Sequence, residues 1–103
     1  LEKVGRTPPR IAPSFDCTSP GSTAERLVCD TPRLSAADRA VAEAYRRAEA
    51  AGVPRRTLRR QQQQWLAARE QAAETQPDAL VPLYEGRMDD LHLQAERAEA
   101  GRR

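Results

Sequence analysis

The sequence predicts a small all-α domain, a disulfide-pinned short helix followed by three longer helices in an antiparallel bundle with short turns. Three observations predict it. Apolar residues recur at three- and four-residue spacing, glycines and prolines divide them into separate stretches, and two cysteines bracket the clearest helix-start signal in the chain. At 103 residues and 39% hydrophobic, with a mean hydropathy of −0.78, the chain suits one domain and has no run long enough for a membrane span. Bulky apolar residues are few and alanine is abundant, so helices can approach closely yet bury little area. A core that thin needs a staple.

Residues 1–13, LEKVGRTPPRIAP, hold three prolines and a glycine and read as a flexible lead-in. The domain proper is expected over 14–100, with a short C-terminal tail over 101–103. Cys17 and Cys29 lie twelve residues apart, separated by the turn Thr18-Ser19-Pro20-Gly21 and a helical start, and are read as one disulfide. The alternative is a reduced buried pair. No histidine or carboxylate cluster accompanies them at metal-ligand spacing, so no metal site is expected. A bridge closing such a loop should contribute roughly 3 kcal/mol by restricting the unfolded chain, and it argues for an oxidising compartment.

Ser22-Thr23-Ala24-Glu25 is a capping box that predicts a helix from about Thr23 to Asp30, ended by Thr31-Pro32. Ser35-Ala36-Ala37-Asp38 is expected to open the second helix and Gly52 to close it, with Leu34, Ala37, Val41, Tyr45 and Ala48 facing inward. Pro54 suits a first turn, and the third helix should run to about Glu74 with Leu58, Gln62, Trp65, Arg69 and Ala72 on one face. Trp65 is the expected centre of the core, packed among Leu58, Tyr45, Leu83 and Met88. Thr75-Gln76-Pro77-Asp78 breaks the chain again. A fourth helix then carries Leu80, Leu83, Tyr84, Met88, Leu91 and Ala95 inward and ends near Gly101, with Pro82 limiting where its regular ladder begins.

Taken in order, Ser14-Phe15-Asp16-Cys17, Ala24-Glu25 and Cys29, Leu34 with Asp38, Tyr45, Gln62 with Trp65-Leu66, Arg69-Glu70, and Tyr84 with Arg87 resemble the LprI-type lysozyme inhibitor N-terminal family. The resemblance covers about residues 14 to 93. It implies a small, helical, exported and usually disulfide-bonded domain that binds lysozyme or a related cell-wall hydrolase without catalysis, in the periplasm or outside the cell. The alternative function is a structural or accessory interaction module of the cell envelope with no hydrolase target. The chain departs from the family pattern at Gln63, where arginine is commoner. It also lacks the further cysteine pair that many members carry, which leaves its C-terminal half without a covalent tie. No charged n-region or apolar h-region is present, so any signal peptide or lipid-anchored leader would precede Leu1.

The residues themselves argue against chemistry. His92 is the only histidine, and no serine, cysteine or second histidine completes a recognisable nucleophilic motif. Asp89 and Asp90, as helix neighbours, point about 100° apart and cannot converge on one bond. No catalytic residue and no cofactor is therefore expected. Asp38 and Arg69 fall on inward or boundary faces, where a charge needs a partner, and are expected to pair between the second and third helices.

Arg55, Arg56, Arg59 and Arg60 make the first half of the third helix basic. No aromatic side chains are interleaved for base stacking, so no nucleic-acid partner is expected, and the face is read as solvated and neutralised by a neighbouring helix. Residues 77–100 carry six acids against two arginines, a net −4. Glu85, Asp89, His92, Glu96 and Glu99 recur as one outward stripe on the fourth helix. Glu96 and Glu99 are expected to neutralise Arg55 and Arg59 across an antiparallel helix pair. Glu85 and Asp89 lie farther along and are the preferred contacts for a basic partner such as lysozyme, with the turn of Thr18, Ser19, Gly21 and Ser22 as a second surface.

Overall fold

The computed structural model describes residues 13–102, so the expected lead-in lies outside the described residues except for Pro13. The chain forms α1 (Thr23–Asp30), α2 (Pro32–Ala51), α3 (Arg55–Thr75), a single 3-10 turn (Pro77–Ala79) and α4 (Leu80–Gly101). Among the described residues there is no strand. The architecture is the helical bundle that the periodicity predicts.

Local chemistry accounts for most helix ends. The Ser22 hydroxyl accepts from the Glu25 amide at 3.1 Å, while the Glu25 carboxylate reaches back to the Gly21 amide at 2.7 Å, one residue earlier than in the usual box. Gly52 closes α2 at φ 105°, a left-handed conformation that favours glycine. Pro82 is the third residue of α4, where its missing N–H would have no intrahelical partner in any case.

The start of α2 differs from expectation. The helix begins at Pro32, three residues before the predicted Ser35 cap, because proline is preset for the first helical position and Thr31 ahead of it is extended. Ser35 is instead inside the helix and buried, and its hydroxyl donates to the Val28 carbonyl at 2.6 Å, tying α2 to the end of α1.

Successive long helices run antiparallel, and this leaves α2 and α4 parallel. Their contact is the most extensive in the molecule, with α3 touching both more sparingly and α1 packed on α2 and α3. Cross-links fix the directions. Along α2 and α4 the pairs Arg33–Glu85, Arg47–Glu99 and Arg102 to the Ala50 carbonyl advance together, whereas Gln61–Gln94, Gln62–Arg87 and Arg69–Tyr84 run oppositely between α3 and α4. Alanine makes the close approach possible: Ala44, Ala48 and Ala51 on α2 and Ala95 on α4 are all buried.

The core is centred on Tyr84, not on Trp65. Tyr84, Leu58, Leu80, Leu91 and Val28 are the largest fully buried side chains. Of the expected core set only Leu58 is fully buried; Trp65, Tyr45, Leu83 and Met88 pack half-buried against the core. Trp65 meets Tyr84 edge-on, with ring centroids 4.8 Å apart and planes at 79°, and donates its indole N–H to the Leu83 carbonyl at 3.2 Å. The reason is partly size, since tryptophan is seldom wholly enclosed in a small domain, and partly the tyrosine hydroxyl, which finds charged partners at the centre. Ala37 and Ala72 are likewise half-buried, with Ala44 and Ala73 taking inner places instead.

Candidate functional site

Cys17 and Cys29 form a disulfide with their Cα atoms 5.8 Å apart, which pins the segment leading into α1 against that helix's end. The segment continues the link inward. The buried Asp38 of α2 accepts from both the amide and the hydroxyl of Ser14 through Oδ2, each at 2.6 Å, and from the Tyr84 hydroxyl through Oδ1 at 2.8 Å. Tyr84 in turn accepts from Arg69 Nη1 at 3.2 Å. Asp38 and Arg69 therefore meet mainly through the tyrosine, their own closest approach being 3.9 Å.

Arg69 turns its remaining donors to Glu70 at 2.8 and 3.2 Å and stands 3.9 Å from Glu25 of α1. Its guanidinium carbon also lies 5.8 Å from the centroid of the Phe15 ring, within reach of a cation–π contact. The hub thus joins the N-terminal segment and all four helices. Burial works to lower the Arg69 pKa, but its hydrogen bonds to Tyr84 and Glu70 more than offset it, so the group is held firmly charged. Burial and the Asp38 carboxylate push the Tyr84 phenol far above its ordinary range, so it stays protonated and can donate to Asp38.

A second polar cluster ties α3 to α4. Buried Arg87 donates from Nε to Gln62 at 3.0 Å and from Nη1 to Asp90 at 3.1 Å, and Gln94 bridges Gln61 and Asp90 at 2.9 Å each. Arg87 Nη2 has no partner among the described residues. Burial lowers the Arg87 pKa, with Asp90 opposing. Periodicity placed Tyr84 inward without a polar role; Ser14 and Arg87 were marked only by the resemblance, also without a role.

The surface candidates separate. Glu85 and Asp89 are exposed on α4, and Glu85 lies 3.4 Å from Arg33 of α2 in an open ion pair. Thr18, Ser19 and Gly21 are exposed in the turn before α1, whereas Ser22 is half-buried and engaged as the helix cap. Thr18 donates twice to Asp16, which holds that carboxyl below its usual range and stiffens the turn. α1 packs on α2 and α3 rather than on the backbone of α4, which sets the turn before it apart from the Glu85–Asp89 face.

Glu99 does not neutralise the arginines of α3. It pairs with Arg47 of α2 at 3.0 Å, and Arg47 also meets His92 Nδ1 at 2.9 Å, because α4 lies along α2 over its whole length. No ion pair among the described residues involves Arg55, Arg56, Arg59 or Arg60. Between α2 and α3 lies a groove of about 430 Å³ whose walls include Phe15, Tyr45, Arg46, Gln62 and Leu66.

Among the described residues no cluster of histidine, cysteine, aspartate and glutamate could hold a metal, and no helix is long and apolar enough to cross a membrane. No curated protein and no solved structure matches the sequence. The family model for lysozyme inhibitor LprI matches residues 16–100, and the chain belongs to that family.

Proposed function

We propose that the domain is an extracytoplasmic, non-catalytic binder that inhibits lysozyme or a related cell-wall hydrolase. The observation that carries this reading is the match to the lysozyme inhibitor LprI family over residues 16–100. Two features of the molecule support it. The disulfide suits an oxidising compartment. The buried polar hub is spent on holding segments together, as befits a rigid scaffold that presents a preformed surface, and rigidity limits the entropy lost on binding.

Charge supports a basic partner as well. The acidic balance of residues 77–100 leaves Glu85 and Asp89 exposed on α4, where they would accelerate encounter with a positively charged hydrolase. The test is direct: immobilised domain is incubated with a c-type lysozyme, and residual hydrolysis of a cell-wall suspension is measured. Stoichiometric retention with loss of lytic activity supports the reading. A folded, disulfide-intact domain that neither retains nor inhibits the enzyme would return it to the class of envelope interaction modules.

A further inference from the structure

Four of the chain's arginines stand together where helix physics disfavours them. Arg55, Arg56, Arg59 and Arg60 occupy the first two turns of α3, the positive end of its dipole, and are exposed. No acidic residue lies in that first turn, no side chain caps it, and no ion pair among the described residues neutralises the four. At about 100° per residue they fall within an arc of about 140°, opposite Leu58, which is fully buried. Arg46, exposed across the groove on α2, extends the same sign. A local arrangement that works against its own helix, with no compensating ion pair among the described residues, marks a place where stability yields to function.

We infer that this arginine face enters the carboxylate-lined cleft of the hydrolase, an inference that rests on the proposed function and names the surface that performs it. A glycoside hydrolase needs two carboxylates flanking the bond it cleaves, set about 5–9.5 Å apart. Two side chains one helical turn apart, as in Arg55/Arg59 or Arg56/Arg60, rise from Cβ atoms about 5–6 Å apart, so one pair can address both carboxylates. Guanidinium groups bind carboxylates bidentately and hold their charge in any environment. Behind them Leu58 anchors the helix inside the bundle. The face blocks the cleft, while Glu85 and Asp89 at the other end of the molecule supply long-range attraction to a basic enzyme.

The experiment compares the wild-type chain with the variant Arg55→Gln/Arg56→Gln/Arg59→Gln/Arg60→Gln, using a c-type lysozyme as probe, with and without saturating N,N′,N″-triacetylchitotriose in its cleft. The expected result is wild-type binding that the trisaccharide displaces, and a variant that binds at least about tenfold more weakly, as loss of a central charged contact should produce. The variant's thermal midpoint should equal or exceed that of the wild type, because cations have left the positive helix end. Equal affinity in the variant, binding indifferent to the trisaccharide, or a drop in stability that assigns the arginines a structural role would each overturn the inference alone. Lysozyme affinity unchanged by the substitutions, with phosphatidylglycerol-vesicle binding lost, would assign the face to a membrane surface and overturn it too. A wild type that fails to bind any lysozyme removes the functional reading and this inference with it.

Discussion

Replacing Tyr84 with phenylalanine is the sharpest probe of what holds the bundle together. The substitution keeps the buried ring and its edge contact with Trp65 and deletes one oxygen, which donates to Asp38 at 2.8 Å and accepts from Arg69 at 3.2 Å. A hydrogen bond to a charged group contributes about 1.5–3 kcal/mol. Both bonds are lost, but neither partner is stranded: Asp38 keeps two bonds from Ser14, Arg69 keeps Glu70, and the two charges stand 3.9 Å apart with room to close directly. The net loss should therefore resemble one such bond, about 2 kcal/mol, and a domain of this size would lose about 8–16 °C in Tm.

Asp38→Ala should be worse, about 3–5 kcal/mol, because it removes the acceptor of three hydrogen bonds, from the Ser14 amide, the Ser14 hydroxyl and the buried Tyr84 hydroxyl, and leaves Arg69 with Glu70 and the more distant Glu25 alone. Urea unfolding followed by circular dichroism measures both. The tyrosine also confers a pH signature. Its folded-state pKa lies above the ordinary value of 10.0 through burial and the Asp38 carboxylate, so its contribution is complete below about pH 10 and declines as pH rises above it. The Phe variant should lack that component of alkaline destabilisation. If Tyr84→Phe unfolds within about 0.5 kcal/mol of the wild type, the hub does not hold the bundle and the reasoning fails.

Other expectations are independent of that one. Non-reducing mass measurement should place the protein two hydrogens below its reduced form, and reduction of the Cys17–Cys29 bond should lower stability by about 2–5 kcal/mol; unchanged unfolding after reduction would contradict the staple. Trp65→Phe should lose about 1 kcal/mol, the value of its N–H bond to Leu83, with the Tyr84 contact largely kept. Its fluorescence in the wild type should be intermediate between buried and solvated, and a maximum at either extreme would contradict the rim position. Glu85→Lys/Asp89→Lys should slow association with lysozyme and flatten its salt dependence without unfolding the domain, since Glu85 gives up only an exposed pair with Arg33. An unchanged salt slope in the folded double variant would remove these residues from the encounter surface.

Helix number, approximate ends and the covalent tie were legible from the chain alone because each rests on local chemistry. Ser22 and Glu25 cap within one turn, Gly52 adopts a backbone conformation that few other residues tolerate, Pro54 and Pro77 interrupt hydrogen bonding wherever they stand, and two cysteines allow one pairing. What sits at the centre was decided only in three dimensions. Alanine-rich faces such as Ala44, Ala48 and Ala95 do not specify a register by their periodicity, so the partner and rotation of each helix follow from the best joint packing. That packing laid α4 along α2, gave Glu99 to Arg47, and left Arg55, Arg56, Arg59 and Arg60 without an ion pair among the described residues. It also brought Ser14, Asp38, Arg69 and Tyr84, separated by up to seventy positions, around one buried hydroxyl. A buried charge demands partners, but the sequence names only the demand; the tertiary structure chose which side chains answer it.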